Sequence, residues 1–162
     1  MNIAEETIPN DLLDNIRGCA NEALKAFGDV IVCFDPASIV DAIDNFVFQW
    51  QRGNRPSTDF VEEEEHAKLI IASLWGEQLV KQFQWQWAKM TFCDGNGTIG
   101  VFSLGRSLAI YPFDYVGTCL LHPEVDVTVM LAFNMLVSDA IPKFPENSYT
   151  NVMEGVQRIV PR

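Results

Sequence analysis

The feature that most constrains the fold is a change of hydrophobic period at Trp85. Before it, residues 69–76 are apolar almost all the way round a helix, so other elements must cover this helix on most sides. Ala72 and Gly76 lie one turn apart there and predict the close approach of another backbone. After Trp85, apolar and polar residues alternate, which is typical of a half-buried β-strand. The chain is therefore predicted to pack helices against a sheet, with this helix at the centre.

The predicted sheet is a small antiparallel meander of three strands. Its strands are expected over residues 85–93, 98–104 and 107–111. Asp-Gly-Asn-Gly at positions 94–97 predicts the first turn, because Gly and Asn adopt positive φ at little cost. A separate short apolar run at residues 30–34 is either another strand or an extended connector.

Five or six helices are predicted from apolar residues that recur at helical spacing. They cover residues 10–27, 36–50, about 62–83, 112–122, 124–141 and about 147–160. Pro36 suits the first turn of the second helix. Asp59 and Glu62 resemble the capped start of the third helix, whose first turn would carry a run of glutamates. Asn147 or Ser148 is the predicted cap of the last helix.

Length and composition favour one domain that covers residues 1–162. Hydrophobic residues make up 48% of the chain, with 11 Phe and 4 Trp, which is enough apolar surface for one continuous core. Charged residues, at 20%, are too few for a disordered chain. The segregation of helical and strand patterns along the chain predicts an α+β domain.

The charge balance is strongly acidic, with 22 Asp plus Glu against 11 Lys plus Arg and a formal net charge of −11. A field of this sign repels phosphate backbones and anionic membrane surfaces, so neither nucleic acid nor a membrane is an expected partner. It would steer a basic protein or a cation toward the chain. The alternative interpretation is that the charge only keeps the fold soluble.

Cysteine usage and the absence of targeting patterns favour a reduced, cytoplasmic protein. The chain contains four widely separated cysteines, and no two form a C-x-x-C pair: Cys19, Cys33, Cys93 and Cys119. Such residues are expected to be reduced and mostly buried thiols. Residues 1–10 lack the basic and apolar regions of a secretory signal, and the apolar-rich run 127–138 is too short to cross a bilayer.

A glycine pattern at Gly95, Gly97 and Gly100 spells G-x-G-x-x-G, which is associated with phosphate binding. The dinucleotide fingerprint requires a helix directly after the glycines, so that the pyrophosphate lies at the helix N-terminus. Here the residues that follow are VFSLG, which favour a strand. We therefore interpret these glycines as part of a hairpin, and we expect no nucleotide cofactor.

Two patterns resemble metal sites but are incomplete. Asp94 begins the D-x-N-G start of a calcium loop, yet the closing acidic position is occupied by Gly105. Glu63 and His66 have the helical Glu-x-x-His spacing of di-iron bundles, which need a second copy of the motif. The only other histidine is His122, beside a proline. No metal is therefore predicted.

A nucleophile arrangement is also incomplete. Ser107, Asp114 and His122 follow the chain order of an α/β-hydrolase triad. However, Ala109 stands where the nucleophile elbow requires glycine, and no parallel sheet is predicted. We expect no catalytic triad at these residues.

Glu77 is the candidate functional residue, because it lies in the middle of the apolar helix. A carboxylate there is costly unless a donor satisfies it. Arg106, the indole N–H of Trp85 or Trp87, or Gln78 could supply that donor. Perturbed carboxylates occur at active sites and also in structural pairs, so both a ligand-binding role and a structural role are open. The predicted ligand-binding residues are Glu77, Trp85, Trp87 and Arg106.

The order of motifs resembles a bacterial domain-of-unknown-function family. The residues that carry the resemblance are LWGEQL at 74–79, WQW at 85–87 and YPFDYV at 111–116. In that family a helix with a Gly-Glu pair precedes a tryptophan-containing strand, a short meander and a Pro-Phe helix start. The resemblance covers about residues 38–137. It implies an α+β domain with helices on a small antiparallel sheet, and it implies no activity.

Two functions are consistent with the sequence. The first is a non-enzymatic, acidic binding protein that meets a basic protein, as an immunity protein meets a toxin. The second is a small hydrolase or ligand-binding enzyme with its site around Glu77 and the neighbouring tryptophans. A lipid- or peptide-binding module would require an exposed aromatic patch.

Overall fold

The structure, a computed structural model, describes residues 3–28, 31, 33–55, 63–160 and 162. Within them the predicted α+β class is confirmed, with six helices and a five-stranded sheet. The elements in chain order are β1 (Ala4–Thr7), α1 (Asn10–Ala26), α2 (Pro36–Gln51), α3 (Glu64–Phe83), β2 (Gln86–Thr91), β3 (Gly97–Phe102), β4 (Leu108–Ile110), α4 (Pro112–Leu121), α5 (Val129–Val137), β5 (Thr150–Asn151) and α6 (Val152–Gly155).

The sheet is larger than predicted and is mixed. Its strand order is β1-β2-β3-β4-β5, where the first three pairings are antiparallel and β4 pairs with β5 in parallel. The predicted meander corresponds to β2, β3 and β4, and the prediction misses both outer strands. β1 has the sequence AEET with every residue exposed, so it shows no apolar alternation. β5 has only two residues, which is too short for any periodic pattern.

The prediction of a last helix over residues 147–160 is wrong. Asn147 and Tyr149 have φ values of 59° and 49°, which no α-helix accommodates. Thr150 instead donates its N–H to the carbonyl of Ser107 at 3.0 Å and enters the sheet. The only helical residues in this region are those of α6, whose cap is the Asn151 side chain.

The start and the end of α5 also differ from the prediction. The helix expected over residues 124–141 is the shorter α5, because the preceding loop is held by Tyr115, whose hydroxyl accepts the N–H of Thr128 at 3.0 Å. The chain turns after α5 at Asp139, with φ 55°. The predicted capped start of α3 at Asp59 and Glu62 lies outside the described residues. Of the run 30–34, residues 31, 33 and 34 are described, and none of them lies in a strand.

The helix α3 lies at the centre, as predicted. It packs against α1, α2 and α4 and against β2 and β3. Its middle is almost entirely buried, and Trp75 is only 1% exposed. Leu69, at the start of the apolar stretch 69–76, is incompletely covered by the other described elements and is 41% exposed. On the opposite face of the sheet, a smaller apolar cluster forms around Met90 and Phe102.

A buried carboxylate fixes α2 to two other parts of the chain. Asp44 is 2% exposed and accepts the N–H of Met130 at 3.0 Å, at the start of α5. The guanidinium of Arg162 also binds it. Arg162 lies over the ring of Phe48, 4.1 Å from its centroid. The last residue of the sequence is therefore packed onto α2.

The four cysteines differ in how far they are buried. Cys119 is buried, Cys19 is half-buried, and both Cys33 and Cys93 are exposed, so the expectation of mostly buried thiols is wrong for half of them. Burial raises the pKa of Cys119 to about 11.

Across the described parts of the chain, no helix combines the length and the apolar character that crossing a membrane requires.

Candidate functional site

Trp87 of β2 meets the helix α3 at Gly76. A Cβ built on Gly76 would lie 2.1 Å from Cζ2 and 2.2 Å from Cη2 of Trp87, far inside van der Waals contact. The indole therefore lies directly on the helix backbone, and only glycine leaves room for it. The close approach predicted at Ala72 and Gly76 does occur at Gly76, but the partner is a tryptophan side chain rather than a backbone.

Glu77, the next residue of α3, binds the same indole. Nε1 of Trp87 donates to Oε1 of Glu77 at 3.0 Å. Of the donors considered from the sequence, Gln78 is used elsewhere, since its Nε2 donates to the carbonyl of Leu74 at 3.3 Å. Glu77 is half-buried rather than sealed beneath the core. The residues that the structure describes include no cation that forms an ion pair with it.

Arg106 binds a different carboxylate. It lies in the turn between β3 and β4 with φ 54°. Its Nε donates to Oε1 of Glu5 at 2.6 Å, and its Nη2 donates to Oε1 of Gln86 at 3.0 Å. Nη1 donates to the carbonyl of Ser103 at 3.0 Å. Arg106 therefore fastens β1 to its own turn and does not neutralise Glu77.

Trp85 lies at the start of the sheet and is 6% exposed. Its ring packs against Phe83 with centroids 5.9 Å apart, and Phe83 in turn packs against Phe133 at 5.5 Å. Trp87 packs against Phe113 with centroids 6.0 Å apart. Trp85 is thus mainly a core residue, whereas the half-buried Trp87 keeps part of its ring accessible.

The four predicted residues line one cavity of about 390 Å³. β1 ends at Thr7, opposite Ala88, whereas β2 begins two residues earlier at Gln86. The chain then leaves the sheet and begins α1 at Asn10. The cavity occupies the space beyond the end of β1. Its other lining residues include Glu5 and Gln86 from the strands and Asn10, Leu13 and Arg17 from α1.

The cavity is lined by two glutamates and two arginines, Arg17 and Arg106, beside an aromatic surface. Of its two glutamates, Glu5 is paired with Arg106, so Glu77 is the carboxylate that has no cationic partner among the described residues. An indole face and an adjacent carboxylate are the groups that bind ammonium and guanidinium ions. The arrangement can therefore bind a cationic group.

Three residues of the cavity are not predicted by the sequence. Glu5 belongs to a fully exposed strand with no apolar pattern, and it is 101 positions away from its partner Arg106. Gln86 alternates with the two tryptophans but carries no charge that singles it out. Arg17 lies two turns after Asn10 on α1, and that spacing is the only signal in the sequence for it.

The glycine pattern forms a hairpin, as interpreted. β2 and β3 pair from Gln86 opposite Phe102 to Thr91 opposite Gly97. Gly95 lies in the turn with φ 83°. The residues after Gly100 continue the strand rather than begin the helix that the dinucleotide fingerprint requires.

The other incomplete patterns have structural partners. His66 binds Glu22 at 2.8 Å rather than facing a metal with Glu63. Thr98 donates its hydroxyl to Asp114 at 2.7 Å. His122 lies 3.4 Å from Glu124. Over the described ranges, no three His, Cys, Asp or Glu side chains gather as a metal site would require.

Comparisons with known proteins add no relative. Protein-family models, curated proteins and solved structures were compared with the chain, and none gives a significant match. The resemblance to a bacterial domain-of-unknown-function family therefore stays a prediction.

Proposed function

We propose that this chain is a non-enzymatic acidic binding protein that takes a basic side chain of a partner protein into the cavity around Glu77. The observation that carries the proposal is the state of Glu77 itself. It is a half-buried carboxylate, held by the N–H of Trp87 at 3.0 Å, without a cationic partner among the described residues. A partly desolvated carboxylate attracts a cation more strongly than an exposed one does.

Trp87 adds a second contact for the same cation. Its ring is fixed by Gly76 on one side and by Phe113 at 6.0 Å, so little rotamer entropy remains to be lost on binding. A cation on a tryptophan face gains about 0.5–1 kcal/mol when exposed and about 2 kcal/mol when desolvated. A hydrogen bond to a charged carboxylate adds about 1.5–3 kcal/mol. An arginine side chain suits both contacts, because its planar guanidinium stacks and donates at once.

The charge of the whole chain supports the same partner. The net charge of −11 would steer a basic protein toward the surface, and Asp11 and Asp14 are exposed on α1, the helix that also supplies Leu13 and Arg17 to the cavity. Association should therefore slow as salt is added. An immunity protein that neutralises a basic toxin would use these properties.

The experiment is affinity capture from the native cell with three proteins: the natural chain, Glu77→Gln and Glu63→Gln. Glu63 is exposed at the start of α3 and does not line the cavity, so its variant loses the same charge elsewhere. We expect one basic protein on the natural chain and on Glu63→Gln. We expect about tenfold less on Glu77→Gln, since one charged hydrogen bond is worth about 1.5 kcal/mol. Equal capture by all three, or no basic protein at all, would contradict the proposal.

A ligand-binding enzyme is the second candidate, because Glu77, Trp85, Trp87 and Arg106 all line one cavity of about 390 Å³. That volume falls within the usual range of about 300–1,000 Å³ for small-molecule sites. Native mass spectrometry of the untagged protein from its own cell separates the candidates. A bound small molecule that Glu77→Gln loses would favour the enzyme, and a bound basic polypeptide would favour the binding protein.

A further inference from the structure

A second, larger groove of about 590 Å³ opens between α1, α3 and β3. Its walls are mostly apolar and include Leu12 and Ile16 of α1, Leu69 of α3, Ile99 of β3 and Phe113 of α4. It shares no lining residue with the cavity around Glu77. The two lie on different faces of α1, so a ligand could occupy one without touching the other.

The groove is open because the residues that face it are small or incompletely covered. Ser73 and Cys19 both line it, and their short side chains leave space in it. Leu69 is 41% exposed at its edge, although the rest of the middle of α3 is buried. An apolar surface of this size that stays open is typical of a ligand groove.

The charged side chains that line the groove are basic, whereas the chain as a whole is acidic. Its described lining residues include two lysines, Lys68 and Lys89, and no carboxylate. The chain as a whole has 22 acidic residues against 11 Lys and Arg. Two carboxylates border this lining, since Glu65 pairs with Lys68 and Asp114 accepts the hydroxyl of Thr98 at 2.7 Å, so Lys89 is the lysine best placed to accept an anion.

The stems of both lysines pass close to glycines. A Cβ on Gly97 would lie 3.2 Å from Cε of Lys89, and a Cβ on Gly117 would lie 2.9 Å from Cδ of Lys68. Lys68 pairs with Glu65 at 2.7 Å, but Glu65 is 71% exposed, so that ion pair is worth little and can be exchanged. For Lys89, the described residues show no ion pair.

We propose that this groove binds an aliphatic carboxylate, of which a medium-chain fatty acid is the representative. The alkyl chain lies against the apolar walls, and the carboxylate accepts hydrogen bonds from the ammonium groups of Lys89 and Lys68. Each buried methylene strengthens binding by about fourfold. Decanoate should therefore bind up to about fifteenfold more tightly than octanoate, whose chain is two methylenes shorter.

The test is isothermal titration of the full chain with octanoate, decanoate and octan-1-ol. We expect saturable binding of decanoate below about 1 mM. Lys89→Met should weaken it by about tenfold or more through the lost charged hydrogen bond. The matched control is Lys81→Met, which removes an exposed lysine of α3 outside the groove and should leave binding unchanged. Octan-1-ol should bind more weakly than octanoate, and Lys89→Met should not affect it.

A second variant, Ile99→Trp, places a larger side chain in the groove and should abolish binding while its melting temperature shows that it folds. If Ile99→Trp does not fold, the comparison of Lys89→Met with Lys81→Met and the comparison of octanoate with octan-1-ol still test the proposal. The proposal is overturned by any of three results: no saturable binding of decanoate below about 1 mM, equal affinity of Lys89→Met and Lys81→Met, or equal affinity of octanoate and octan-1-ol.

Discussion

Replacing Gly76 with alanine should destabilise the protein, although glycine to alanine in a helix ordinarily stabilises it. The ordinary gain is about 1 kcal/mol. Here the new Cβ would lie 2.1 Å from the ring of Trp87, where carbon atoms normally stay about 3.5–4.0 Å apart. The ring must move by more than an ångström, which costs about 1–3 kcal/mol of overpacking. Its hydrogen bond to Glu77 at 3.0 Å is then lost, at about 1.5–3 kcal/mol.

The balance is a loss of about 1.5–5 kcal/mol in the free energy of unfolding, from overpacking and the lost bond less the helix gain. Urea unfolding followed by circular dichroism measures it. The matched control is Gly18→Ala, in the exposed middle of α1, where a Cβ would meet no atom within 4 Å. It should stabilise by up to about 1 kcal/mol. Trp87→Leu should relieve most of the penalty of Gly76→Ala in the double variant. If Gly76→Ala were as stable as Gly18→Ala, the proposed packing of the indole on α3 would be refuted.

Substitutions at three further residues test the contacts of α5 and its preceding loop and the burial of a thiol. Asp44→Ala should lower the free energy of unfolding by about 3 kcal/mol, whereas Asp44→Asn keeps an acceptor for the N–H of Met130 and should cost about 1 kcal/mol. Tyr115→Phe removes the acceptor of the Thr128 N–H and should cost about 1–2 kcal/mol in urea unfolding. Burial raises the pKa of Cys119 to about 11, so the thiol stays neutral in the folded chain while it ionises in the unfolded chain. The contribution of the buried thiol to the free energy of unfolding should be complete below the ordinary thiol pKa and should be lost as pH rises toward about 11. Urea unfolding midpoints should therefore fall over this pH range, and they should fall less steeply in Cys119→Ala.

The elements found from the sequence are those whose pattern is long or strongly punctuated. The central helix is recognisable because residues 69–76 are apolar on all sides, and the hairpin because alternation flanks a Gly-rich turn. β1 cannot be predicted in the same way, since it is held by backbone pairing to β2 and by the distant Arg106, and its sequence AEET shows no apolar alternation. The last helix is wrongly predicted because Val152 and Val156 are buried at helical spacing while the backbone between Asn147 and Thr150 turns and joins the sheet.

Part of the candidate site can be predicted from the sequence. A glutamate within an apolar helix requires a donor, and Trp87, ten residues later, is near enough in the chain to be considered. The pairing of Glu5 with Arg106 spans 101 positions and depends on where β1 joins the sheet, so no local pattern predicts it. The same pairing decides the electrostatics, because it leaves Glu77 as the glutamate of the cavity that has no cationic partner among the described residues.

Whether Glu77 and Trp87 together bind a cationic side chain is tested most directly by following the indole N–H resonances of the four tryptophans while acetyl-arginine amide is added. The proposed function predicts a saturable shift of the Trp87 resonance, absent in Glu77→Gln and retained in Glu63→Gln. The resonance of Trp50, whose Nε1 is buried without a partner in the described residues, should stay unmoved. A Trp87 resonance that does not respond, or that responds equally in Glu77→Gln, would contradict it.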